Sequence, residues 1–235
     1  MHAFPYHVLL RGVKGMEKFF TRVINLAPDL LYATWITLSL SFASIIVGLL
    51  FGLLLAMGRM STFKPVRGLS WLYIWLFRGT PLLMQIYFIF FLLPQILHFQ
   101  AKNFEFYAAI IALGLNSAAY LAEIIRAAIQ SIDKGQLEAS RALGMSYWLS
   151  MRRIIIPQSV RRMIPPCGNE FIMLLKDTSL VSGIGITELL RIARQVTSAT
   201  GDAMYYLPVA LIYLFLTTIF TIVFEKIEKK YSVYE

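Results

Sequence analysis

The chain has 235 residues, of which 58% are hydrophobic and only 15% charged, with a mean hydropathy of +0.66. Soluble domains carry about a quarter charged residues, so this composition excludes an ordinary soluble protein and points to a membrane protein. The net charge of +9 fits basic loops facing anionic lipid rather than nucleic-acid binding, and the lone Cys167 excludes an intrachain disulfide and reads as a small apolar packing residue.

Residues 1–28 mix Phe4, Tyr6, Val8 and Leu9 with Arg11, Lys14, Lys18 and Arg22, the pattern of an amphipathic segment lying at the membrane interface. No short apolar run with a small-residue cleavage site is present there, so a removable signal peptide is not expected. Leu30 to Gly58 lacks any charged residue, which predicts a first span over about 30–58. Within it, Gly48 and Gly52 form a small-xxx-small pair suited to close helix contact. Arg59, Lys64 and Arg67 follow as a basic turn. A single straight span through the next segment would leave Arg78, Gly79 and Pro81 deep in lipid. Residues 68–77, with Trp71 and Trp75, are therefore predicted along the inner interface, and the second span over 81–97 with Pro81 at its first position.

A short loop containing Pro94, His98, Lys102 and Asn103 leads to a third span over 104–126, with Asn116 near its middle and Glu123 and Arg126 spaced to pair. The polar loop 133–157 comes next. Gln136–Leu143 predicts a helix ended by Gly144 in the left-handed conformation. Ser146 then caps a second helix that Pro157 is expected to stop. A fourth span over 160–178, interrupted by Pro165 and Pro166, carries Glu170 at mid-depth. Residues 180–205, including Glu188, read as an external connection with a short helix, and 206–224 as the fifth span. The expected class is thus all-α, a polytopic protein of five transmembrane helices. The positive-inside rule puts the loop 133–157 and the C-terminus in the cytoplasm and the N-terminus outside, with the basic N-terminal segment fitting least well.

Glu138-Ala-Ser with Gly144 five residues after Ala139, followed by Ile155-Ile-Pro157, closely resembles the cytoplasmic EAA loop of bacterial ABC importer permeases. Arg78-Gly-Thr-Pro-Leu-Leu-Met-Gln85, Leu115 to Arg126, Asp133-Lys-Gly-Gln136 and Leu174-Leu-Lys-Asp-Thr-Ser-Leu180 resemble the polar amino acid branch of that family, in matching order. The resemblance implies a type I importer permease domain over 29–235 in the bacterial inner membrane. It also implies two ATP-binding cassette ATPase subunits, a second permease subunit and an external substrate-binding protein as partners. The loop would dock in a groove of the ATPase. Glu138 and Arg141 would make polar contacts there, Ala139 and Gly144 would keep the surface low, and Ala142, Leu143 and Trp148 would pack as apolar contacts.

An ionised carboxylate at mid-membrane costs about 2.5–3.5 kcal/mol, so Glu170 needs a cation, a cavity or a proton. It could pair with Lys176 or Arg126, or face a central path and meet a cationic group of the substrate. Many relatives resemble Asn-Gln-Phe where this chain has Asn169-Glu170-Phe171, a departure that favours a basic amino acid over glutamine or another uncharged or acidic one. Asn116, Gln85, Tyr120, Lys176 and Thr178 are further candidates for the path. Arg78 is read as fixing the helix entry.

A membrane enzyme or assembly factor is the rival class, but no catalytic constellation supports it. No Gly-rich phosphate loop ends in Lys-Ser/Thr, and Glu188 stands where a dinucleotide fingerprint after Gly183-Ile-Gly185 needs glycine. His2, His7 and His98 lie outside metal or triad spacing. No cofactor or metal is expected, and ATP hydrolysis is expected in a partner.

Overall fold

The computed structural model describes residues 19, 21–98 and 102–231, so most of the predicted N-terminal interfacial segment lies outside the described residues. Among the described residues every regular element is helical. Helix α1 spans Ala27–Met60, α2 Lys64–Gly79, α3 Leu82–Tyr87, α4 Leu93–Leu97 and α5 Phe104–Gln130. Helices α6 (Lys134–Ala142) and α7 (Tyr147–Ser150) form the polar hairpin. Then come α8 (Ile156–Asp177), α9 (Leu189–Thr200) and α10 (Tyr206–Tyr231).

Three stretches, Ala27–Met60, Phe104–Gln130 and Ala203–Tyr231, are long and apolar enough to cross a membrane. Helix α2 and the α3–α4 run meet at 107°, and together they also pass that test. The bend falls at Thr80-Pro81, where extended backbone interrupts the helix, in line with the predicted entry at Pro81. Helix α8 has a helix's length but carries Arg161, Arg162, Glu170 and Lys176, so it crosses only if its polar face is sheltered by neighbours.

Helix α5 is the spine of the bundle and packs against α1, α2, α3 and α8. Its contact with α1 is close because of glycine. A Cβ at Gly52 would lie 2.9 Å from Leu121 Cβ and 3.1 Å from the Ala118 carbonyl oxygen, and one at Gly48 would lie 3.1 Å from Ser117 Cβ. The small-xxx-small pair therefore serves contact within the chain, as its spacing predicts. One apolar cluster joins α1, α3 and α5 through Leu40, Ile86, Ala112 and Leu113. A second joins α1, α8, α9 and α10 through Ala33, Phe171, Leu175, Leu189 and Val209.

Pro157 does not stop the second hairpin helix. The chain runs helically from Tyr147 to Asp177, with a π-helical turn at Met151–Ile155 and Pro157 in the first turn of α8. The same arrangement recurs at Phe88–Leu92, where a π turn precedes Pro94. A proline interrupts an α-helix because it lacks an N–H and its ring meets the carbonyl one turn back. Here the π turn that precedes Pro157 is closed by the Ile156 N–H on the Met151 carbonyl, five residues back. Pro165 and Pro166 likewise sit inside α8 without breaking it.

Candidate functional site

Near the middle of α8, the half-buried Glu170 carboxylate accepts a hydrogen bond of 2.7 Å from the Ser117 hydroxyl of α5. The ion pairs among the described residues join Glu123 to Arg59 and Arg126, at 3.6 and 2.6 Å. Glu170 therefore has no cation within salt-bridge range among the described residues, and neither Lys176 nor Arg126 holds it. Ser117 was not singled out in the sequence. The available signal was a small hydroxyl residue beside Asn116 at the depth where Glu170 needs a donor.

Asn116 and Gln85 form a network of their own. The Asn116 amide nitrogen donates to Gln85 Oε1 at 2.9 Å and to the Phe77 carbonyl at 3.2 Å. Gln85 Nε2 lies 2.8 Å from both the Phe77 carbonyl and the Thr80 hydroxyl. The bend between α2 and α3 leaves the last carbonyls of α2 without helical partners. These two amides supply donors that lipid cannot. Both are candidates for the path in the sequence, and the structure sets them at the helix break between α2 and α3, with Asn116 one residue along α5 from Glu170's partner.

Tyr120 lies three residues after Ser117 on α5, and its ring sits 5.2 Å from the Arg78 guanidinium. Thr178 is fully buried, and its hydroxyl donates to the Leu175 carbonyl at 2.7 Å. Lys176 is exposed and borders a cavity of about 290 Å³ with Leu190, Tyr206 and Tyr213. Six residues separate it from Glu170, about 240° around a helix, so it faces a different side of α8.

Outside the spans, Glu188 is fully buried. It caps α9 by accepting from the Leu190 and Arg191 backbone N–H groups at 2.8 and 2.7 Å, and it receives the Tyr213 hydroxyl of α10 at 2.8 Å. Burial pushes its carboxyl up from the ordinary range, while these donors pull the other way. The connection 180–205 is thus clamped onto the bundle, which its polar local sequence does not reveal.

The hairpin has the predicted glycine turn and serine cap, with its first helix at Lys134–Ala142 rather than Gln136–Leu143. Asp133 caps α6 through the Gly135 N–H, and Gly144 adopts φ +80° with open space around its Cα. Ser146 accepts from the Leu149 N–H to start α7. The hydroxyls of Ser140 and Ser150, 2.7 Å apart and buried, fasten the two arms together. Glu138, Ala139, Arg141, Ala142, Leu143, Gly144 and Trp148 are all exposed. Leu143 is 83% and Trp148 70% exposed, an apolar tip on an otherwise polar loop.

Residues 48–233 match the family model described as binding-protein-dependent transport system inner membrane component. The arginine transport system permease protein ArtQ of Bacillus subtilis is 41% identical over 216 residues, covering 92% of this chain and 98% of the relative. The glutamine transport system permease protein GlnP of Escherichia coli is 35% identical over 207 residues, covering 88% and 94%. A solved structure titled as an amino acid ABC transporter with histidines superposes with a TM-score of 0.84 at 39% identity, covering 90% of this chain and 98% of that one.

Proposed function

The chain belongs to the binding-protein-dependent transport system inner membrane component family, as an amino acid ABC importer permease, and from that premise we propose that it carries basic amino acids inward past Glu170. The single observation behind the specificity is that carboxylate. It is half-buried at mid-helix, bonded to a neutral serine, and free of any cation within salt-bridge range among the described residues. A buried anion without a counter-ion is costly, and a guanidinium, ammonium or imidazolium passing through the path would offset that cost. The names of the arginine permease and of the histidine-containing structure agree with this reading.

In this reading α8 is the fourth of five crossings, its polar face turned to the path between two permease subunits, identical or homologous. The hairpin 133–157 lies in the cytoplasm and the N-terminus outside. An external binding protein delivers the amino acid, and two ATPase subunits grip the tips through Leu143 and Trp148, whose exposure in water calls for an apolar groove. The helical run from Tyr147 continues through α8 to Glu170, so closure of the ATPase pair tilts the element that carries the site, giving alternating access. The chain performs no hydrolysis of its own.

Glutamine is the second reading, because the 35%-identical relative is named for glutamine transport and a carboxylate satisfied by Ser117 could also receive an amide. The deciding experiment is uptake into proteoliposomes holding the full importer, with arginine, lysine, histidine and glutamine in competition. Preference for the basic set that shifts toward glutamine in Glu170→Gln supports the proposal. An unchanged preference in the variant defeats it.

A further inference from the structure

One helical turn inward of Glu170, the same two helices open into a second cavity. It measures about 410 Å³ and is lined by Arg78, Tyr120, Glu123, Ser131, Arg162 and Pro166, among others, a size common for small-molecule sites, about 300–1,000 Å³. Its register with the first site follows from the helices. Pro166 precedes Glu170 by four residues on α8, and Tyr120 follows Ser117 by three on α5, so each pair stacks on one helix face.

The charges around this cavity are unbalanced. Arg78, Arg162 and, behind Glu123, Arg59 and Arg126 surround a single carboxylate. That carboxylate is already taken. Arg126 meets it through Nε at 3.1 Å and Nη2 at 2.6 Å, and Arg59 approaches it to 3.6 Å. Arg162 Nη1 is held by the Ser131 carbonyl at 2.6 Å. Arg78 is exposed to the cavity and rests over the Tyr120 ring, with no acidic group within salt-bridge range among the described residues. A guanidinium stacked on an aromatic face is held in place while its in-plane donors stay open for a bidentate anion.

We infer that this cavity is an exit subsite for the α-carboxylate of the transported amino acid, with Arg78 as the receiving group. The inference rests on the amino acid importer reading above and extends it. Glu170 meets a cationic group, and Arg78, one turn closer to the cytoplasm, meets the anionic end. An amino acid leaving Glu170 thus passes to a site of opposite sign instead of being held by its cation alone. Tyr120 is the platform that orients Arg78.

The test measures equilibrium binding of radiolabelled arginine and of agmatine, which is arginine without its carboxylate, to the complete permease–ATPase complex in nanodiscs. Wild type should bind arginine more tightly than agmatine. Arg78→Gln should weaken arginine about tenfold or more, the range for losing a charge-assisted hydrogen bond, and leave agmatine unchanged. Arg78→Lys should fall between. Equal weakening of both ligands, weakening of neither, or loss of the permease dimer on size-exclusion chromatography in Arg78→Gln would overturn the inference. So would arginine binding that falls when phosphatidylglycerol is added, in wild type but not in Arg78→Gln, because a lipid headgroup would then hold Arg78. If the complex binds glutamine and not arginine, the basic specificity fails while the subsite is judged by the same comparison of glutamine with 4-aminobutanamide.

Discussion

The Ser117 hydroxyl donates to Glu170 across 2.7 Å, and the same serine is pressed from behind by Gly48, where an added Cβ would come within 3.2 Å of that hydroxyl oxygen. The placing of Ser117 against the Glu170 carboxylate of α8 therefore depends on the absence of a side chain on α1. Ser117→Ala removes the donor and leaves the carboxylate in place. Apparent affinity for a basic amino acid is expected to change by less than tenfold in proteoliposome uptake, and Glu170→Gln is expected to change it more. A larger effect from Ser117→Ala would mean that serine contacts the substrate directly.

Gln85 and Asn116 satisfy carbonyls at the bend between α2 and α3. Substituting either with alanine breaks their mutual hydrogen bond and leaves the remaining buried amide without that partner, while the Phe77 carbonyl keeps its other donor; the cost is about 1–3 kcal/mol and should lower the melting temperature of the purified permease. Because the two amides bond to each other at 2.9 Å, the double substitution should cost less than the sum of the singles. Strict additivity would contradict a shared network.

Gly52 has no room for a side chain against Leu121 and Ala118. Gly52→Val is expected to destabilise by about 1–3 kcal/mol, as overpacking does. The check is thermal unfolding in detergent, with an exposed control such as Gly68→Ala, where nothing lies within 4 Å, staying near wild type.

At Gly144 the proposed docking on the ATPase predicts a conflict with a partner. The left-handed backbone there costs a non-glycine residue about 1–2 kcal/mol, but the surrounding space is empty, so Gly144→Asp should express normally. It is expected to cut uptake more than tenfold while ATP hydrolysis by the complex continues. Normal uptake at normal expression would argue against docking through this tip.

The uncharged run from Leu30 to Gly58, the break at Pro81 and the hairpin with Gly144 and Ser146 were legible because each rests on local chemistry. The partners of Asn116 and Glu170 were not. Gln85 and Ser117 lie 31 and 53 positions away, and which of many polar residues meets them depends on how the spans rotate. For the same reason the sequence does not reveal that Lys176 faces a different side of α8 from Glu170, since its azimuth is set by packing. Pro157 reads as a stop but lies inside a continuous helical run, just after a π turn that no residue type announces.

Winding, as well as leverage, passes along the helical run from Tyr147 to Asp177. A π turn holds one residue more than the α-helix around it. Deleting one residue between Met151 and Ile155 should therefore return the run to plain α winding with Glu170 still aimed as before relative to Trp148. The same deletion between Gln158 and Ile164 should swing Glu170 by about 100° and abolish uptake. The turn behaves as a phase adjuster, a place where the chain can gain or lose a residue while tip and carboxylate keep their alignment.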